Sequence, residues 1–259
     1  MIRLSNLTLP LDHPPEALEA AVCARLGIAP ADLLRCTLAR RGNDARKRGA
    51  ILLVYSVDVA VHDEAAVLAA HAEDPQVRPT PDTAYHPPAQ APAGWNGQRP
   101  VVIGAGPCGL LAALVLAEMG LKPIIIERGK AVRERTKDTW GLWRRGVLEP
   151  ESNAQFGEGG AGTFSDGKLY SRIKDPRHLS RKVLTEFVRA GAPDDILTEA
   201  HPHVGTFRLV TMVMRMRETI EALGGEYRFG TRVDDFVIEQ GRLTGLRLST
   251  GELLPASHV

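Results

Sequence analysis

Cysteine is scarce: Cys23, Cys36 and Cys108 are the only three in 259 residues, and no two stand as a CxxC pair. That excludes a zinc knuckle or a neighbouring-dithiol redox centre of that spacing, and such sparse usage fits a reducing cytoplasm. Aromatic residues make up 5%, too little for the stacking platforms of a single-strand nucleic-acid binder. An excess of one charge is also missing. The 32 Lys and Arg meet 31 Asp and Glu, for a net charge of +1, so no global field draws the chain to nucleic acid or to an anionic membrane. Long apolar runs are absent: the longest, from Val101 to Ala117, is interrupted by Gly104, Gly106, Pro107 and Gly109. It falls short of a membrane span. The opening Met1 to Asn6 reaches Pro10 and Asp12 before a signal-peptide core forms, which leaves a cytoplasmic, membrane-free setting as the expectation.

What is present is an ordinary globular composition, 44% apolar and 24% charged, on a chain long enough for a substantial core. Residues 1–70 read as a small α+β domain. It opens with a strand from Ile2 to Leu11, followed by a helix from Pro15 to Leu26 with Leu18, Val22 and Leu26 at helical spacing. A second helix is expected over Ala31 to Arg41, with Leu33, Leu34 and Leu38 on one side, and a strand over Ile51 to Val59. Residues 71–99, with Pro75, Pro79, Pro81, Pro87, Pro88 and Pro92, have the composition of an extended linker. Residues 100–259 read as an α/β domain. A strand at Pro100 to Gly104, a helix from about Pro107 to Met119 and a strand at Lys122 to Arg128 form a βαβ opening. A helix near His178 to Arg189 follows, and then one capped by Thr206 with Leu209, Val213, Met216, Ile220 and Leu223 as its stripe. The end is a run of strands, Glu226 to Phe229, Val233 to Glu239, Leu243 to Leu248 and one near Leu254.

Within the βαβ opening, Gly104-Ala105-Gly106-Pro107-Cys108-Gly109 lies between an apolar strand and a helix, the context that makes a GxGxxG sequence informative. The first glycine permits the turn, the second lets a pyrophosphate approach the backbone, and the third lets helix and strand pack closely, while the helix N-terminus faces the anion. Pro107 suits a first helical turn, which needs no amide donor there. Glu127 ends the second strand roughly 20 residues beyond the loop, where a carboxylate accepts the hydroxyls of an adenosine ribose and repels a 2′-phosphate. The expected ligand is FAD or NAD rather than NADP. Cys108 invites a redox reading, but a small residue at a helix start explains it as well.

A second glycine cluster follows at Gln155-Phe156-Gly157-Glu158-Gly159-Gly160-Ala161-Gly162-Thr163-Phe164-Ser165-Asp166-Gly167-Lys168-Leu169. Five glycines between 157 and 167 rule out a regular helix and let backbone amides converge on an anionic or planar ligand. Gly159, Gly160, Ala161, Gly162, Thr163 and Ser165 are the candidates here. Lys168 is a candidate to offset negative charge on a reduced flavin, and Phe156, Phe164 and Leu169 are candidate anchors. Arg128, Arg133 and Arg135 follow the acid turn closely enough to reach a diphosphate.

With these motifs, and with Asp44-Ala45-Arg46-Lys47 and Tyr55 to Val59 upstream, the whole chain resembles the glutathione-reductase-like FAD superfamily. Within that superfamily it is similar to a bacterial family of FAD-dependent, NAD(P)-utilising dehydrogenases. The resemblance implies a Rossmann-like FAD-binding βαβ domain with a β-meander, preceded by the small α+β domain. It also implies that the backbone of Val233 serves the adenine, and that NAD(P)H is a candidate electron donor. Members of that family continue with another strand and a substrate-side domain, so the chain reads as an N-terminal part, incomplete within 100–259.

The expected activity is that of an FAD-dependent oxidoreductase, with catalytic residues and substrate unassigned. The alternative is a non-catalytic flavin-binding or redox-sensing module. No metal site is expected: His201 and His203 flank Pro202 without partners at a ligand interval. The basic cluster Arg40, Arg41, Arg46, Lys47 and Arg48 is interrupted by Asp44 and reads as a solvated face, so nucleic acid is disfavoured as a partner.

Overall fold

Alternation of apolar and polar residues, each apolar set facing one way, builds the first sheet. The computed structural model describes residues 1–47, 49–171 and 173–259. These divide into two units, one of Met1–Ala84 with Leu169–Arg181 and Asp194–Pro202, the other of Tyr85–Lys168, Lys182–Pro193 and His203–Val259. In the first, β1 (Ile2–Pro10), α1 (Ala17–Leu26), β2 (Leu33–Asp44), β3 (Leu52–Val61), α2 (Glu64–Ala70) and β4 (Val77–Pro79) follow one another. The sheet order is β2-β3-β1-β4, and all the pairings are antiparallel. This is the split βαβ arrangement, in which each crossover helix returns over one face. Ile2, Leu4, Val57, Val59 and Val77 point to that face and pack with Val22 and Leu26 of α1 and with Val67 and Leu68 of α2.

The helix expected over Ala31 to Arg41 is instead β2. Its residues pair with β3 from Leu33↔Val61 to Asp44↔Leu52. Cys36 and Leu38, opposite Val59 and Val57, turn to the core, while Leu34 is 56% exposed. A ladder of this length overrides a short helical spacing of leucines, since local propensity is the weaker term. The unit also extends past 70, because Val77, 1% exposed, is drawn in opposite Leu4 and adds β4 to the sheet. Segment 194–202 joins the free edge of β2: Arg41 N donates to Thr198 O, and Ala200 N donates to Arg41 O.

In the second unit, β5 (Val101–Ile103), α3 (Pro107–Glu118) and β6 (Ile124–Ile126) give the expected βαβ turn, and β7 (Glu226–Arg228) extends a parallel sheet in the order β5-β6-β7. Between β6 and β7 lie α4 (Val132–Arg145), α5 (Leu179–Arg189) and α6 (Thr206–Ala222). Helix α4 was not foreseen, because VRERTKDTWGLWRR holds few apolar residues and a central glycine. Thr206 is not a cap: it is the first residue of α6, and Gly205 occupies the capping position without a side-chain bond. Leu223 falls just past α6 and is 40% exposed, and Met212 takes its place in the buried stripe. Strands β8 (Val233–Glu239), β9 (Arg242–Leu248) and β10 (Leu253–Pro255) form an antiparallel sheet. Its Leu246, Leu248 and Leu254 pack on Val101, Ile124 and Ile126 of the parallel sheet.

The strand assignment of β2 leaves Leu34 at the surface, whereas Leu4 of β1 lies in the core of the same sheet. Leu4→Ala, at a fully buried position, is expected to cost roughly 2–5 kcal/mol, whereas Leu34→Ala should stay within about 0.5 kcal/mol. Chemical denaturation monitored by circular dichroism checks both, and a large loss at Leu34 would contradict the register.

Candidate functional site

The phosphate loop is built from three glycines with different duties. Gly104 has φ +94°, a left-handed value that favours glycine, and a Cβ placed there or at Gly106 would meet nothing within 4 Å. A Cβ at Gly109 would sit 1.9 Å from Gly104 O. The third glycine is therefore consumed by packing, while the first two leave open space at the start of α3. No side chain caps that helix, so its first amides remain available as anion donors. Pro107 and Cys108 lie exposed in the first turn, and Ala105 is buried beneath it.

Glu127 closes the turn from the other side. Although it is 4% exposed, it is not isolated: Ala105 N donates to its Oε2 at 2.7 Å and Gly129 N to its Oε1 at 2.8 Å. A carboxylate has about four acceptor positions, so both oxygens keep capacity for ligand hydroxyls. Gly104, Gly106, Glu127, Arg128, Gly160 and Val233 come together around one cavity of about 310 Å³, a size in the range of ligand clefts, roughly 300–1,000 Å³. The sequence reading did not single out Thr231 and Arg232 or assign roles to Ile103, Gln155 and Gly157, which also line it. The signal for Ile103 is its 42% exposure at the end of an otherwise buried strand, which the sequence does not display.

The second glycine cluster is held from behind by Arg135, which is not available to a diphosphate. It is fully buried on α4 and donates to four backbone carbonyls: Asn153 O at 2.8 Å, Ala154 O at 2.9 Å, Glu158 O at 2.7 Å and Gly160 O at 2.8 Å. Burial pulls its pKa down to about 10, against the opposing effect of Glu127 and Glu158. Glu158 answers in the opposite direction. Its Oε2 accepts from Val132 N at the start of α4 (2.7 Å), and its Oε1 lies 2.9 Å from Arg217 Nε of α6. Burial pushes the Glu158 carboxyl up, with the Val132 amide and Arg217 opposing.

Gly159 N donates to Ala105 O at 2.8 Å, and a Cβ on Gly160 would meet Pro107 Cδ at 2.9 Å, so the second cluster lies against the phosphate loop. Ala161, Gly162, Thr163 and Phe164 form a single 3-10 turn, with Thr163 buried. The anchoring phenylalanines are held by cations: Arg128 lies 3.9 Å over the Phe156 ring and Arg135 lies 4.9 Å over Phe164. Ser165 is spent on the turn, donating to Gly162 O and accepting from Gly167 N. Lys168 points to solvent, 76% exposed and 3.1 Å from Asp166. Neither lines the cavity.

Of the basic cluster in the first unit, Arg46 bonds Asp44 and Arg41 pairs with Glu199, while Arg48 lies outside the described residues. The His201 ring lies tilted against that of Tyr170, with centroids 4.8 Å apart. Among the described residues no group of three or more His, Cys, Asp or Glu could hold a metal ion, and no helix is long and apolar enough to cross a membrane.

Comparison with known proteins follows this division. Residues 99–161 match the family described as "FAD binding domain", and residues 1–60 match a "Domain of unknown function (DUF8436)". An uncharacterized protein of Clostridium beijerinckii is 39% identical over 250 residues, covering 95% of this chain and 45% of that protein. A phytoene desaturase (neurosporene-forming) of Cereibacter sphaeroides is 37% identical over 57 residues, 22% of this chain and 11% of the desaturase. The chain thus spans less than half the length of either relative. Among solved structures, a 3-ketosteroid dehydrogenase of Rhodococcus jostii aligns with 67% of this chain and 47% of its own, at 14% identity and TM-score 0.38. Glycine oxidase of Bacillus cereus aligns over 62% and 53%, at 16% and 0.31.

Substitutions at three positions test how the site is built. Arg135→Met leaves four carbonyls, those of Asn153 and Glu158 fully buried, without their donor and should cost more than about 3 kcal/mol; Arg135→Lys should recover little, because an ammonium cannot span the same fork. Gly109→Ala should destabilise strongly while Gly106→Ala leaves the unfolding midpoint nearly unchanged. Equal stability of the two glycine variants in thermal unfolding would contradict the assigned duties. The sequence motif pointing to a nucleotide and the match to an FAD-binding domain thus converge on the residues between 99 and 161.

Proposed function

We propose that the second unit binds FAD noncovalently and serves an FAD-dependent oxidoreductase of the glutathione-reductase-like superfamily. The observation that carries this reading is the open space at Gly104 and Gly106, set against the buried acceptor Glu127 in the same cavity. A pyrophosphate needs close backbone approach and amide donors, and an adenosine ribose needs a carboxylate. The match of residues 99–161 to an FAD-binding domain supports the same ligand. The opening of α3 would hold the pyrophosphate and Glu127 the ribose hydroxyls, with the backbone of Thr231 to Val233 at the adenine.

Bound flavin would supply reversible hydride and electron transfer. The chain's own residues bind and orient. Arg135 and Glu158 fix the glycine wall, and Phe156 with Arg128 forms one side of the cavity. Lys168 is exposed and paired with Asp166, so solvent screens its charge. NAD(P)H as electron donor and a cytoplasmic setting belong to the same proposal. They rest on the resemblance and on the scarcity of cysteine.

FAD should bind more tightly than FMN, since only the dinucleotide carries an adenosine ribose for Glu127. Titration of both flavins, followed by flavin fluorescence, tests this, and equal affinities would remove the assignment. Gly106→Val should weaken FAD by more than about tenfold, equivalent to roughly 1.4 kcal/mol, with its unfolding midpoint kept. Steady-state oxidation of NADH and NADPH by the flavin-loaded protein tests the electron donor.

A further inference from the structure

Glu127 is followed directly by Arg128, so the strand end carries both the acid that suits an unmodified ribose and a cation of the kind that accommodates a 2′-phosphate. Arg128 and Arg232 are the two cations among the described residues lining the cavity. Both are bound by one carboxylate. Arg128 Nε donates to Glu151 Oε2 at 2.7 Å, and Arg232 Nη1 donates to Glu151 Oε1 at 2.6 Å. Arg232 gives its Nε to Asp234 at 2.6 Å as well, and the Arg128 guanidinium carbon lies 3.9 Å from the centre of the Phe156 ring. The bond from Arg128, with the charge of Arg232, holds the Glu151 carboxyl below its ordinary range, so the bridge stays ionised at neutral pH.

A second cavity of about 190 Å³ shares Arg128 and Arg232 with the first and is also lined by Lys130, Ser152, Ser249 and two carboxylates, Glu149 and Glu151. The Ser152 hydroxyl there is buried and has no hydrogen-bond partner among the described residues. Space for one more phosphate group therefore lies beside the nucleotide cavity, with Glu151 occupying Arg128 and Arg232 and Asp138 pairing Lys130.

We infer that Glu151 is a specificity-determining residue: by spanning Arg128 and Arg232 it withholds both from a 2′-phosphate and sets the cavity for adenosine dinucleotides that lack one. This rests on the nucleotide reading proposed above. Glu127 alone would repel a 2′-phosphate, but a free arginine beside it would offset the repulsion. Glu151 removes that offset by neutralising Arg128 before any ligand arrives.

The test measures binding of ADP-ribose and 2′-phospho-ADP-ribose by calorimetry to the wild-type chain, Glu151→Gln and the double variant Glu151→Gln/Arg128→Met. Wild type should prefer ADP-ribose. Glu151→Gln should gain about fivefold or more toward the 2′-phosphorylated ligand, a change on the scale of one freed partly exposed charge, and the double variant should lose that gain. Glu151→Asp, which keeps the charge on a shorter arm, should fall between wild type and Glu151→Gln. An unchanged ligand ratio in Glu151→Gln, with wild-type unfolding, overturns this inference alone. Failure of the wild-type chain to bind either ligand or FAD overturns the nucleotide reading beneath it.

Discussion

One buried guanidinium organises the nucleotide unit. A glycine-rich segment cannot hold its own shape, because each glycine widens the set of backbone states to be given up on folding. Arg135 resolves this by offering a rigid, planar fork to the carbonyls of Asn153, Ala154, Glu158 and Gly160. The exchange runs both ways, since Glu158 from that segment accepts the Val132 amide at the start of the helix that carries Arg135. Helix and loop each satisfy polar groups that the other would leave buried and unpaired. Such reciprocity makes the two segments cooperative, and a half-formed version would be worse than none.

Where sequence and structure agree, the pattern was dictated locally. Strand, glycine turn and helix at 101–118 are specified by residues that are neighbours in the chain, and the Leu209 to Ile220 stripe is a helical period that needs no partner to be read. Where they part, distant residues decided. The leucines of β2 carry a helical spacing, and only the ten-residue ladder offered by β3 (Leu52–Val61) turns them into a strand. Helix α4 hides for the opposite reason: its buried surface is Val132, Arg135, Thr139 and Gly141, and a core made of polar and small residues leaves no hydrophobic signature.

The candidate site shows the same split. Gly104, Gly106 and Glu127 were legible because their spacing has a meaning of its own, whereas Val233, which lines the same cavity, was implied only by the family resemblance. Arg135 was found for its charge but assigned to a ligand it does not face; from the sequence, an arginine after an acid turn is equally consistent with pointing in or out. Glu151 and Arg232 were missed because nothing in the chain announces that residues eighty positions apart will share a bridge. Their charges only acquire meaning when β8 brings Arg232 beside the end of β6.

The strip at 194–202 that borders β2 has a consequence for how this protein can be inherited. The matched family region ends at residue 60, yet the outer edge of β2 takes a backbone bridge at Arg41 from Thr198 and Ala200, far downstream and after the nucleotide loop has been laid down. The stretch that can be recognised and the stretch that must be copied to reproduce the sheet edge are different lengths of gene. Recombination at a seam near 84 would transfer the sheet without the two backbone hydrogen bonds at Arg41, leaving that point of the β2 edge open to another chain.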